Sequence, residues 1–161
     1  MTHCLIPSLI NLSVKRLTDS RRPILFEKFA TLPPNLKDIL RRIFLKRGLK
    51  GEQLKYLLHS NVKSLDLSDC QKTAELLATV TTCRHLCKLH INSVSGDNED
   101  GDGEEQEPLL CQLVRDNVHL SSLFLRNLHS TVTDSVLMCV HHNVVELDLG
   151  GCGRITDQGG T

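Results

Sequence analysis

Aromatic residues are scarce in this chain of 161 residues, with no tryptophan, one tyrosine and four phenylalanines. Any core must therefore be built from Leu, Val, Ile and Cys, the usage of thin, regularly layered interiors. Net charge is absent too, with 19 Lys and Arg against 19 Asp and Glu. That balance hides an asymmetry, because residues 1–61 hold 12 basic against 4 acidic side chains and residues 62–161 hold 7 against 15. The chain is a basic head on an acidic body. Long apolar runs are missing, which argues against a membrane span, and "MTHCLIPSLINLSVKRL" lacks the basic leading region of a secretory signal. Seven scattered cysteines without such a signal imply free, buried thiols in a cytoplasmic or nuclear compartment.

What is present is a repeat. "VKSLDLSDC" from Val62, "LCKLHINSV" from Leu86, "LSSLFLRNL" from Leu120 and "VVELDLGGC" from Val144 share the template apolar-x-x-Leu-x-apolar-x-x-apolar, at intervals of 24, 34 and 24 residues. The long interval contains "DNEDGDGEEQE", residues 97–107, with seven carboxylates and no apolar residue. Such a run cannot offset its ordering entropy by burial and is read as a disordered acidic insertion. Removing it restores one period. Helical patterns lie between the strands: Leu76, Leu77, Val80 and Cys83; then Leu109, Leu110, Leu113 and Val114 behind Pro108 in a first turn; then Val136, Leu137 and Val140 capped by Thr133 or Asp134. Leu54, Leu57 and Leu58 mark a fractional unit ahead of the first strand.

Strand, turn and helix in repetition predict an α/β fold, a right-handed leucine-rich-repeat solenoid with parallel strands inside and helices outside. About four repeats are expected over 49–161, the last incomplete, so that the chain reads as truncated or its final layer as exposed. Residues 1–48 read as a small helical cap or adaptor-docking segment. In it Leu9, Leu12 and Leu17 form one stripe, and Leu36, Ile39, Leu40, Ile43 and Phe44 a second that stops at Gly48. Arg41, Arg42, Lys46 and Arg47 are assigned to a solvated outer face rather than to nucleic acid, because no aromatics interleave them.

The third and fourth units resemble cysteine-containing leucine-rich repeats. In that subtype the strand ends in Cys and an Ile-Thr-Asp-x-Gly signature follows, matched here by Cys70 and Cys152 and by Ile155, Thr156, Asp157 and Gly159. Cys83 matches the second cysteine of the subtype, and Cys139 falls near it. The second unit departs, having Val94 for the cysteine and no such signature. The subtype is typical of F-box/leucine-rich-repeat proteins, and "LPPNLKDIL" leading into "VKSLDLSDC" is similar to the mitotic-exit-network antagonists among them. The resemblance implies a noncatalytic role: substrate recognition in a cullin-type ubiquitin ligase, in protein degradation or cell-cycle control. The alternative is a scaffold or inhibitor of a signalling protein with no ligase connection. No full F-box is present. Ser8, Leu9 and Leu17 look like part of an elongin-binding box, with Ser13 where Cys is expected, and Leu32, Pro33 and Leu36 are similar to cullin-box sequences. A Skp1-like or elongin-like adaptor would dock on Leu9, Leu12, Leu17, Leu32, Pro33 and Leu36; a structural cap is the plain alternative.

Candidate chemistry is thin. Cys83, His85, Cys87 and His90 are potential zinc ligands, but the repeat register sends Cys83 inward and His90 to the opposite face, so no metal site is expected. Asp66 and His90 with Ser64, Ser68 or Ser122 imitate a triad without an oxyanion hole, and no enzyme or cofactor is expected. Gly151 and Gly153 followed by Thr156 break the G-x-G-x-x-G spacing of a phosphate loop. His141 to Asn143 fall at a helix end, where a cation is favoured by the dipole. The concave face carries the functional expectation. Strand alternation puts Ser64, Asp66 and Ser68, then Lys88, His90 and Asn92, then Ser122, Phe124 and Arg126, then Glu146 and Asp148 on one side. Phe124 among polar residues has the composition of a protein-binding hot spot.

Overall fold

Four short runs with leucine as their second residue pair side by side because each offers one apolar face and an open ladder of backbone groups. In the computed structural model these are β1 (Ser64–Asp66), β2 (Lys88–Asn92), β3 (Ser122–Arg126) and β4 (Glu146–Asp148). The structure describes residues 24–68, 70, 74–93 and 103–157, with positions 12, 13 and 16. All three pairings are parallel and the order is β1-β2-β3-β4, an open sheet. The chain is thus mixed α/β with a four-stranded parallel sheet. Leu65, Leu89, Leu123 and Leu147 lie in one register row, with Ile91 beside Leu125 in another.

Each crossover crosses the apolar face of the sheet. Helix α1 spans Pro34–Leu45, α2 Gly51–Leu54 with a 3₁₀ turn at Lys55–Leu57, α3 Ala74–Val80, α4 Gly103–Asp116 and α5 Asp134–Leu137. Leu54, Leu57, Leu76, Leu77, Val80, Leu110, Leu113, Val114 and Val136 from these segments are buried with Leu65, Leu89, Ile91 and Leu123 of the sheet in one continuous core. Leu58 is buried with them, as the helical spacing of the fractional unit predicts. Thr133 is the N-cap of α5, accepting from the Ser135 amide at 3.2 Å. Gly48 follows α1 with φ 80°, the left-handed geometry that stops a helix without steric cost.

Several expectations change. The acidic stretch is not loop throughout, since Gly103–Glu107 opens α4 and places Pro108 inside the helix rather than in its first turn. The reason is tertiary: Gln106 is buried and faces Thr131 at 3.3 Å, and Glu107 accepts from Thr133 at 2.8 Å. The remainder of the insertion, 97–102, lies outside the described residues, as do Leu9 and Leu17 of the first leucine stripe. Leu12 is 59% exposed. Arg41 belongs to the interior, not to the outer face: it is 4% exposed, pairs with Asp38 at 2.8 Å and donates to the Leu57 carbonyl at 3.4 Å. His59 completes this cluster through Asp38 at 2.9 Å. Burial alone would raise the Asp38 carboxyl, but the His59 and Arg41 contacts outweigh it and hold the group below its ordinary value. Leu147 shares the register row of Leu65, Leu89 and Leu123 yet is 47% exposed, in keeping with an exposed final layer.

Candidate functional site

Alternation leaves the opposite face of the sheet polar, and the parallel register sorts its side chains into rows. Ser64, Lys88, Ser122 and Glu146 form one, Asp66, His90, Phe124 and Asp148 the next, and Asn92 with Arg126 a third. Every strand residue expected on this face is therefore brought together. Ser68, just past β1, joins it by donating through its amide at 3.0 Å and its hydroxyl at 2.6 Å to Asp66 Oδ1.

Phe124 sits at the centre of the middle row. The Lys88 ammonium lies 5.1 Å from its ring centroid and the His90 ring 5.6 Å away, tilted by 60°. The cation–π contact at such a half-exposed site contributes about 0.5–1 kcal/mol. On the β1 side, His90 Nδ1 approaches Asp66 Oδ1 at 3.4 Å. Burial pushes the Asp66 carboxyl up, but two hydrogen bonds from Ser68 and the positive field of His90 and Lys88 leave it below the ordinary range. On the β4 side, Arg126 Nε donates to Asp148 Oδ2 at 2.7 Å while the Gly150 amide donates to Oδ1 at 3.0 Å. The Arg126 contact lowers the Asp148 pKa and raises that of Arg126. The face thus carries an aromatic centre flanked by fixed charges of both signs.

This arrangement bears on the other readings. Ser68 gives its proton to Asp66 rather than to His90, so Asp66 stands between Ser68 and His90 as a shared acceptor. Cys83 is buried, Cys87 donates weakly to the His85 carbonyl, His85 is exposed, and His90 lies on the polar face. Among the described residues no group of three or more His, Cys, Asp or Glu side chains converges as metal ligands would. The six described cysteines are free thiols. Burial raises Cys83, and burial with the adjoining Cys139 thiol pushes Cys111 up to about 11, so both remain neutral at ordinary pH. His141 and Asn143 serve the structure: His141 Nε2 meets the Arg115 carbonyl near the end of α4 at 2.8 Å, and Asn143 donates to the Val118 carbonyl at 3.0 Å.

Sequence reasoning missed two asparagines. Asn127 follows β3 with φ 55° and donates to Asn92 Oδ1 at 3.0 Å, framing one end of the polar face. It occupies the eighth position of the strand template, as does Gly151 with φ 75°. Asn and Gly are the residues that tolerate the left-handed region, so their shared offset was the available signal. Asn117 is 1% exposed and works wholly inside the fold. It accepts from the Leu86 amide at 2.8 Å and donates to the Cys83 and Leu113 carbonyls at 2.9 and 2.8 Å, tying one crossover to the next.

Of the expected adaptor-docking residues, Leu32 and Pro33 join a 3₁₀ turn at Phe26–Thr31 to α1, and Leu36 lies in the first turn of α1. Leu32 packs partly against the core, while Pro33 is exposed. Among the described residues no helix is long and apolar enough to cross a membrane. No family model matches the chain, and no solved structure matches it.

Proposed function

We propose that the chain is a leucine-rich-repeat interaction module whose polar sheet face recognises a protein partner. The observation that carries this reading is the middle row, in which Phe124 is held between Lys88 and His90 with Asp66 and Asp148 at the flanks. An aromatic anchor inside a rim of oriented charges is the composition of an interface centre. Parallel strands in one register, each joined to the next through a helix, support a solenoid of stacked units, a form in which such faces bind partners. The resemblance of its units to cysteine-containing repeats supports a more specific role, recognition of a substrate for a cullin-type ubiquitin ligase. In that role Leu32, Pro33 and Leu36 contact a Skp1-like or elongin-like adaptor.

The two surfaces separate in one experiment. Tagged full-length chain carrying Leu32→Asp with Leu36→Asp is compared with chain carrying Phe124→Ala, and recovered proteins are quantified by mass spectrometry. Loss of the adaptor with the first variant and of substrate with the second supports the ligase reading. Recovery of a stable partner that depends on Phe124, with no adaptor from either sample, favours the scaffold reading instead.

A further inference from the structure

The head carries a second surface, separate from the polar sheet face. Ile24, Phe26, Phe44 and Leu49 line a recess of about 260 Å³ beside the turn at Gly48, with Arg47 and Gln53. Three of the four phenylalanines gather at this end, the Phe26 ring lying 5.2 Å from Phe44 and 5.5 Å from Phe29. The volume is below the range of about 300–1,000 Å³ usual for small-molecule pockets, so the recess suits one or two side chains better than a cofactor. Among the described residues, a side chain added at Gly48 would meet nothing within 4 Å.

The surroundings are mainly cationic, with Glu27 and Glu52 as exposed exceptions. Residues 24–61 hold eight Lys and Arg against three Asp and Glu, and one of those three, Asp38, is engaged by Arg41 and His59. Arg42, Lys46, Arg47, Lys50 and Lys55 are exposed. From this pairing of an apolar floor with a cationic border we propose that the recess binds an acidic segment of a partner protein, one that carries a bulky aliphatic or aromatic anchor. The anchor enters among Phe26, Phe44 and Leu49, and flanking carboxylates face Lys46, Arg47 and Lys50. Nucleic acid or an anionic membrane engages the cations without needing the recess, and this difference gives the test its arms. The proposal stands apart from the sheet face, and neither depends on the other.

Fluorescence anisotropy on the full chain uses a short labelled peptide of Glu and Gly with a central Leu-Phe pair. Two control peptides replace Leu-Phe by Ser-Ser, or every Glu by Gln. Each control is expected to bind about tenfold or more weakly, and Lys46→Glu with Arg47→Glu is expected to cost the parent peptide a similar factor. In nuclear magnetic resonance titrations of the unaltered chain, the Gly48 and Gln53 amides are expected to shift. Equal binding of the Ser-Ser peptide, or unmoved Gly48 and Gln53 amides, overturns the proposal. So does tighter binding of single-stranded RNA or phosphatidylserine vesicles than of the peptide. A rise in peptide affinity on Leu12→Ser also overturns it, because the chain's own leading segment would then be the occupant.

Discussion

β3 and β4 are drawn from one nine-residue template, lie next to each other in register, and end in opposite states. Leu123 is fully buried, whereas Leu147, its register partner, is 47% exposed, and Val145 in the same template is 85% exposed. The residues are equivalent and their cover is not: β1 is an edge strand like β4, yet its Leu65 is 1% exposed. What a leucine contributes is set by what packs over it. The same contrast divides the polar face: Phe124 on β3 is flanked from β2 by Lys88 and His90, while Asp148 on β4 is held by Arg126 and its own following turn.

The largest expected effect is on the leucines. Leu123→Ala should destabilise by about 2–5 kcal/mol in urea unfolding, and Leu147→Ala by less than about 1 kcal/mol. Equal losses would erase the contrast. Next come the residues three positions ahead of each template. Asn117→Ala leaves the Leu86 amide and the Cys83 and Leu113 carbonyls unpaired, for a loss of about 2–3 kcal/mol, whereas His141→Ala releases only the Arg115 carbonyl and should lose under about 1 kcal/mol. Smaller again is the turn after each strand. Gly151→Ala should lose about 1–2 kcal/mol from its left-handed backbone, with a further clash against the Asn127 side chain; Asn127→Gly should change stability by less than about 1 kcal/mol.

The smallest effect is pH-dependent and concerns the anchoring of β4. Asp148 has a folded pKa below its ordinary 3.8, chiefly through the Arg126 hydrogen bond, so its contribution is present at neutral pH. It is lost as pH falls past that value toward the lower folded one. Amide exchange should show Glu146–Asp148 losing protection on acidification before Ser122–Arg126, and Asp148→Asn should remove the step. Simultaneous loss in both strands, unaffected by that substitution, would show that Asp148 does not anchor β4.

Most of the sheet was legible in the sequence because the template fixes which residue of each strand faces inward, and a parallel register follows when every unit uses the same offset. Residues on the polar face follow from the same alternation. What was not legible depends on contacts across units. Apolar periodicity passes over Arg41, whose burial rests on Asp38 and the Leu57 carbonyl. Composition marked Gly103–Glu107 as loop, but Thr131 and Thr133 supply partners that extend α4 through it. Leu147 holds the same strand position as the buried Leu65, Leu89 and Leu123, and its exposure is set by what packs over β4 rather than by the strand itself.

Recognition rather than folding is the role proposed for Phe124, and the function proposed for the chain rests on it. The most direct test measures the thermal midpoint and partner recovery of Phe124→Ala in the same preparation. A residue that serves recognition leaves the midpoint within a few degrees of the parent chain, since about 1 kcal/mol moves a domain of this size by roughly 2–4 °C, while the partner is lost. Full partner recovery, or loss that appears only when the domain has unfolded, would contradict that role.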